Sequence, residues 1–156
     1  MDAFVQPLYE LADFDAIIRQ LKKPGIVQVS GCLDSQKAHF TNGLLREFPF
    51  RLIVAENDLK AKAFYEDFRL YDPEVLYYPA RDLIFYQADI HGNLLTRQRI
   101  QVLRALLERE EVTIVTSIDS CLDCLVPLDV WREKVIKIRN DSEIDLDQMK
   151  RHLVEL

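Results

Sequence analysis

A chain of 156 residues, 49% apolar and 29% charged, has the composition of one ordinary globular domain with at most part of a second, and at this length it buries enough surface to fold without staples. Twenty Lys+Arg against 26 Asp+Glu leave a net charge of −6, which argues against a broad nucleic-acid footprint. An odd number of cysteines, an opening with Asp2 and Pro7 where a basic, apolar leader would stand, and no apolar run near the ~20 residues of a membrane span point to a reduced, cytoplasmic protein with no membrane partner.

Asp13 to Leu21 predicts a short helix with Phe14, Ile17, Ile18 and Leu21 on one stripe. Pro24-Gly25 breaks it, and Ile26 to Ser30 predicts a short buried strand. A loop from Gly31 leads into a helix over about Gln36 to Phe48, closed by Pro49, and Arg51 to Ala55 reads as a second strand. Asn57 or Asp58 caps the next helix, whose inward positions read as Leu59, Ala63, Phe64 and Phe68. Val75 to Tyr78 is a third strand, stopped by Pro79, and Arg81 to Asn93 reads as a long connection.

Thr96 caps an amphipathic helix with Ile100, Leu103, Leu106 and Leu107 inward and Val102 at the edge of the stripe. Val112 to Thr116 is a fourth strand, Ser117 caps a helix ending near Pro127, and Val135 to Ile138 is a candidate fifth strand. Alternating helices and strands apolar on both faces call for an α/β fold, a parallel sheet with helices on both sides. The composition changes at Asn140, and Asp145 with Gln148 opens a last helix with Leu146, Met149, Leu153 and Leu156 on its stripe. The organisation reads as an α/β domain over 1–139 and, over 140–156, the first helix of a following module that the chain enters without completing.

The segment Ser30-Gly31-Cys32-Leu33-Asp34-Ser35-Gln36-Lys37-Ala38 has the context of a phosphate loop, with a strand before, Gly first, Lys six residues later and a helix after. A working loop needs a second Gly before the Lys, so that backbone N–H groups curl around the phosphates, and Ser or Thr after it to hold magnesium. Gln36 and Ala38 stand at those positions. A working nucleotide site, a chance spacing and a decayed loop are the three readings, and the two losses favour the decayed loop. Glu56 and Asp119 sit near strand ends but read as caps or loop acids, not magnesium ligands.

Cys121-Leu-Asp-Cys124 follows a strand, where a redox pair is conceivable, but its spacing of three on a helix reads as a shared buried face. Zinc lacks further ligands, because Cys32, His39, His91 and His152 are scattered, and the acids from Asp141 to Asp145 have Leu146 where a calcium loop requires Gly. Asp89 and His91 read as a local pair. No nucleophile elbow or catalytic metal motif is present, so no catalytic or metal-ligating residue is assigned. Tyr77, Tyr78, Phe85 and Tyr86 cluster around Arg81, and Tyr78, Arg81, Phe85 and Tyr86 form a candidate partner surface. A DNA-binding reading through Arg81, Arg97, Arg99 and Arg104 ranks below these because of the net charge.

These residues resemble a known family. The stretch Val29-Ser-Gly-Cys-Leu-Asp-Ser-Gln-Lys-Ala-His-Phe is similar to the degenerate loop that opens bacterial transcription-repair coupling factors, and Tyr78-Pro-Ala-Arg-Asp-Leu-Ile-Phe-Tyr-Gln resembles their Pro-x-x-Asp/Glu-x-Leu-x-Tyr stretch. Arg99 to Leu106, Val112 to Ile118, Val126-Pro127 and Ile144-Asp145-Leu146 extend the likeness over nearly the whole chain. The related excinuclease component UvrB has an intact phosphate loop and a long hairpin insertion, and the connection from Pro79 to Thr96 is too short for that hairpin.

The resemblance implies a helicase-like domain with a degenerate phosphate loop at Gly31, Gln36, Lys37 and Ala38, a non-catalytic scaffold that needs no cofactor. It implies a longer parent whose separate motor uses ATP and magnesium to move on DNA. Further modules of that parent bind RNA polymerase and, adjoining this domain, the excinuclease component UvrA, in a bacterial cytoplasmic setting. The alternative is an active ATP-binding domain of a helicase-like DNA repair protein, with Lys37 on the phosphates.

Overall fold

The computed structural model describes residues 3–81, 91–136 and 145–155. The chain forms two compact units, Met1–Asp123 and Cys124–Leu156.

The first unit opens with a 3-10 turn over Gln6–Glu10, which the sequence reading did not include, and helix α1 (Phe14–Leu21). Helix α2 spans Asp34–Leu45, strand β1 Phe50–Ala55, helix α3 Asp58–Phe68 and strand β2 Leu76–Tyr78. Helix α4 (His91–Glu108), strand β3 (Val112–Ser117) and the single turn α5 (Ile118–Cys121) follow. The three strands form one parallel sheet in the order β1-β3-β2, with Leu52 and Leu76 both opposite Ile114. Two of the predicted caps, at Asn57 and Ser117, are made. The Asn57 side chain accepts from the Lys60 N–H at 2.9 Å, and the Ser117 side chain accepts from the Ser120 N–H.

Helix α3 covers one sheet face, where Ala61, Phe68, Val75, Tyr77 and Val115 pack with Ala38 of α2. Helix α4 covers the other, where Val102 and Ala105 meet Leu76, Tyr78, Val112 and Ile114. β3 lies in the middle and is buried along its whole length, as expected of a parallel strand covered on both sides. β1 at the edge is covered on one face alone, so Ile53 and Ala55 pack inward while Phe50, Leu52 and Val54 remain exposed. A third cluster joins Val5, Leu8, Phe14, Ile18 and Leu44. It closes on Gly43 of α2, where an added Cβ would overlap Leu8 Cδ1 and stand 3.0 Å from Phe14 Cζ.

In the first unit, four expectations need correction. Ile26 to Ser30 is not a strand of the sheet: the segment pairs with none of the three strands, and Ile26 is 96% exposed. An apolar β-branched run has strand propensity, but a strand exists only when a neighbour takes its backbone groups. Thr96 is not a cap, because α4 begins at His91. The inner stripe of α4 is centred on Val102, Leu103 and Ala105, with Ile100 47% exposed, so the helix is rotated from the expected face. On α3 the buried positions are Ala61 and Phe68, while Leu59 and Ala63 face water. The long connection falls largely on 82–90, outside the described residues.

In the second unit, helix α6 (Leu128–Lys134) starts after Pro127 and carries Arg132 and Lys134 in its last turn, where cations suit the helix dipole. The helix predicted to run from Ser117 to about Pro127 is therefore only the single turn α5, and α6 lies beyond it, where the sequence pattern predicts no helix. Val135 and Ile136 form no strand and are exposed, and 137 and 138 lie outside the described residues. Helix α7 (Leu146–Glu155) begins as read, with Asp145 Oδ1 accepting from the Asp147 N–H at 2.9 Å.

Candidate functional site

The loop from Gly31 to Ala38 carries the spacing that suggested a nucleotide site. Gly31 has φ +88, a left-handed conformation that glycine adopts at little cost, and it turns the chain into α2. The start of α2 is then closed by the chain itself. Gln36 Oε1 accepts from the Leu33 N–H at 3.2 Å, and the Gln36 and Lys37 amides both donate to the Leu33 carbonyl, at 2.9 and 3.2 Å. Of the amides at this helix start, those of Leu33, Gln36 and Lys37 are thus already paired within the chain, whereas an anion site uses unpaired first-turn N–H groups.

Lys37 is occupied as well. Its Nζ donates to Asp34 Oδ1 at 2.6 Å in an i,i+3 ion pair with both groups solvent-facing. Ala38 points inward, 3% exposed, among Ala61, Phe68 and Val115. A hydroxyl placed there would face apolar core rather than a bound metal. Behind the loop, a cavity of about 360 Å³ lies between α1, α2 and the 26–33 segment, with Leu21, Val27, Val29 and Phe40 in its wall and Lys37 among its lining residues. Its apolar character is the reverse of a triphosphate cradle.

The Lys37 hydrogen bond and charge hold the Asp34 carboxyl below its ordinary value, and Lys60 does the same to Glu56. A carboxyl lowered on folding adds stability above its unfolded-state pKa, and that contribution disappears as pH falls through the folded value. In an NMR titration, Asp34 is expected to protonate at lower pH than an ordinary aspartate. In Lys37→Ala it should return toward the ordinary value, while Glu56 stays lowered.

At the carboxyl ends of the strands a second polar network ties the exits together. Asp58 Oδ1, on the first residue of α3, accepts from the Ala80 N–H at 3.2 Å and from Ser117 Oγ at 3.4 Å. Thr116 Oγ1 donates to the Tyr78 carbonyl at 2.9 Å. Arg99 of α4 is buried, with its guanidinium 4.2 Å from the centre of the Tyr78 ring. Its Nη1 donates to the Pro79 carbonyl at 2.8 Å and lies 2.9 Å from Asp123 Oδ2. The carboxylate meets the guanidinium off the hydrogen-bond axis, as a charge contact, while Arg99 Nη2 and Tyr78 Oη are buried with no hydrogen-bond partner among the described residues. Burial pushes the Tyr78 phenol pKa up.

The candidate partner surface is reorganised by this geometry. Tyr78 is buried beneath Arg99 and is unavailable to a partner, whereas Arg81 is exposed and ion-paired with Asp123 at 3.6 Å. Phe85 and Tyr86 lie outside the described residues. Arg99, counted among DNA-binding arginines in the sequence, faces inward and cannot contact a phosphate backbone. Cys121 and Cys124 are both exposed, which corrects the shared buried face, because α5 ends after one turn and no further helix carries them inward. Among the described residues no group of three or more His, Cys, Asp or Glu is placed to hold a metal ion. No helix there is long and apolar enough to cross a membrane.

Sequence reasoning missed Asp123 and the roles of Asp58, read only as a candidate cap, and of Arg99. A signal for Arg99 existed, because it stands three and four residues before Val102 and Leu103 on the inner stripe of α4, where a charge requires a buried partner.

No family model matches the chain. It is 29% identical to UvrABC system protein B of Treponema denticola over 140 residues, 90% of this chain and 19% of that protein. It is 32% identical to UvrABC system protein B of Anaplasma phagocytophilum over 120 residues, covering 67% of this chain and 18% of the relative. A transcription-repair-coupling factor of Staphylococcus epidermidis matches at 25% over 133 residues, 83% of this chain and 11% of that protein. The chain thus spans about a fifth of the length of the UvrABC relatives and about a tenth of the coupling factor. A mixed α/β unit with a small parallel sheet flanked by helices is therefore a distant homologue of two groups of bacterial DNA-repair proteins, the UvrABC system protein B and the transcription-repair-coupling factor families.

Proposed function

We propose that this chain is a non-catalytic scaffold of the transcription-repair-coupling factor kind, built on a helicase-like α/β domain whose phosphate loop has decayed. It positions an adjoining module that recruits the excinuclease component UvrA in transcription-coupled repair, while ATP hydrolysis, DNA translocation and RNA polymerase binding belong to other regions of a longer cytoplasmic parent. The observation that carries this reading is the closed start of α2, with Gln36 on the Leu33 N–H and Lys37 on Asp34. Relatives named UvrABC system protein B match at somewhat higher identity. The coupling-factor reading rests on the loss of Gly and Ser/Thr at Gln36 and Ala38, which a nucleotide-using domain requires.

Calorimetric titration with ATP and magnesium tests it. No saturable heat is expected at high micromolar protein, and Lys37→Ala should leave the trace unchanged. Saturable binding lost in Lys37→Ala would overturn the reading in favour of an active ATP-binding domain. The boundary has its own check: a longer chain carrying the complete adjoining module should capture UvrA, and strong capture by these 156 residues alone would refute it.

A further inference from the structure

The geometry points to a latch. Arg99 and Asp123 hold the strap Pro79-Ala80-Arg81 against the carboxyl ends of β2 and β3, and releasing Asp123 opens it. The strap is fixed from two sides. Asp58 takes the Ala80 N–H, and Arg99 takes the Pro79 carbonyl while resting on the Tyr78 ring. One carboxylate, Asp123, neutralises both the buried Arg99 and the exposed Arg81, at 2.9 and 3.6 Å.

The closed arrangement is not fully satisfied, since among the described residues Arg99 Nη2, Tyr78 Oη and Asp123 Oδ2 are buried without hydrogen-bond partners. Such groups favour exposure to water, so the closed strap depends on a charge contact made off-axis. The Asp123 side chain is 28% exposed against 9% for Arg99, although the Oδ2 that makes both contacts is itself buried, so solvent or a competing group reaches the carboxylate through its other oxygen. Opening presents Tyr78 Oη, Arg99 Nη2 and the Asp123 carboxylate together at the carboxyl ends of parallel strands, the edge where α/β sheets take ligands.

Amide hydrogen exchange on the whole chain, read by NMR at Ala80 and at Val115 in the centre of β3, tests the latch. Asp123→Asn is expected to speed exchange at Ala80 at least tenfold while Val115 stays within twofold of the parent. Arg99→Lys, which keeps the charge and loses the guanidinium fork, should give an intermediate increase, and it carries the test if Asp123→Asn does not fold. Arg81→Gln should change Ala80 less than threefold. Unchanged exchange at Ala80 in both Asp123→Asn and Arg99→Lys, equal acceleration at Ala80 and Val115, or an Arg81→Gln effect as large as that of Asp123→Asn would each overturn the proposal.

Discussion

Phe68→Ala is expected to cost about 3–5 kcal/mol of stability, the range for deleting a fully buried aromatic ring. Phe68 is the last residue of α3 and is 0% exposed, packed with Ala61, Val75, Tyr77 and Val115 and lying near the Phe64 ring at 5.7 Å. The backbone just after it is committed as well, because the Tyr71 and Asp72 amides both donate to the Phe68 carbonyl. That turn leads directly into β2, and Asp72 accepts from Thr113 Oγ1 at 2.7 Å. The surrounding strands therefore have little freedom to collapse into the cavity, which places the cost toward the upper part of the range. Urea unfolding should show a lower midpoint with an unchanged slope. A change below about 1 kcal/mol would mean that α3 is not seated on the sheet as described.

Arg99→Met has the second largest expected effect, a loss of about 3 kcal/mol, the lower end of what removing one partner of a buried ion pair costs. Methionine keeps much of the apolar stem that packs in the helix-sheet layer. It leaves the Pro79 carbonyl without its donor and Asp123 without its buried counter-charge. The partial exposure of Asp123 moderates the cost, because water can solvate the abandoned carboxylate. Removing the unpartnered Nη2 returns a fraction of it. The check is a pair of unfolding curves: Arg99→Met should be clearly less stable than the parent, and Arg104→Met nearly equal to it, since Arg104 is exposed and bonds within its own helix to Glu108. Equal losses in both would mean that the burial of Arg99 has no energetic role.

Signals that act within a few residues were legible before any tertiary information. The caps at Asn57 and Ser117 are side-chain-to-backbone bonds over three residues, and both are made. α1, α3 and α7 lie within a residue or two of their predicted bounds, as does β1. At the candidate site, the missing second Gly and the missing hydroxyl after Lys37 could be read directly from Gln36 and Ala38. Their consequences could not. That Gln36 turns its amide back onto the helix start, and that Lys37 closes on Asp34, depends on rotamers chosen in the folded loop.

The exits of the strands were illegible for a different reason. Asp58, Ala80 and Ser117 are far apart in the chain, as are Arg99 and Asp123, and they meet because three parallel strands end at one edge. No local pattern records that meeting. The rotation of α4 has the same origin: Ile100 and Val102 both belong to a plausible stripe, and contact with Leu76, Tyr78 and Val112 decides in favour of Val102.

The sequence by itself determined the alternation of helices and strands, the parallel character of the sheet, the local caps, and a loop with the spacing of a phosphate site but without the residues to run one. These follow from propensity and periodicity, which are properties of neighbouring residues. Only the tertiary structure decided that Ile26 to Ser30 stays out of the sheet, that α4 turns Arg99 inward, and that the strand exits are tied through Asp58 and Asp123. Pairing, burial and charge compensation need partners distant in the chain, and partners are chosen by the fold as a whole.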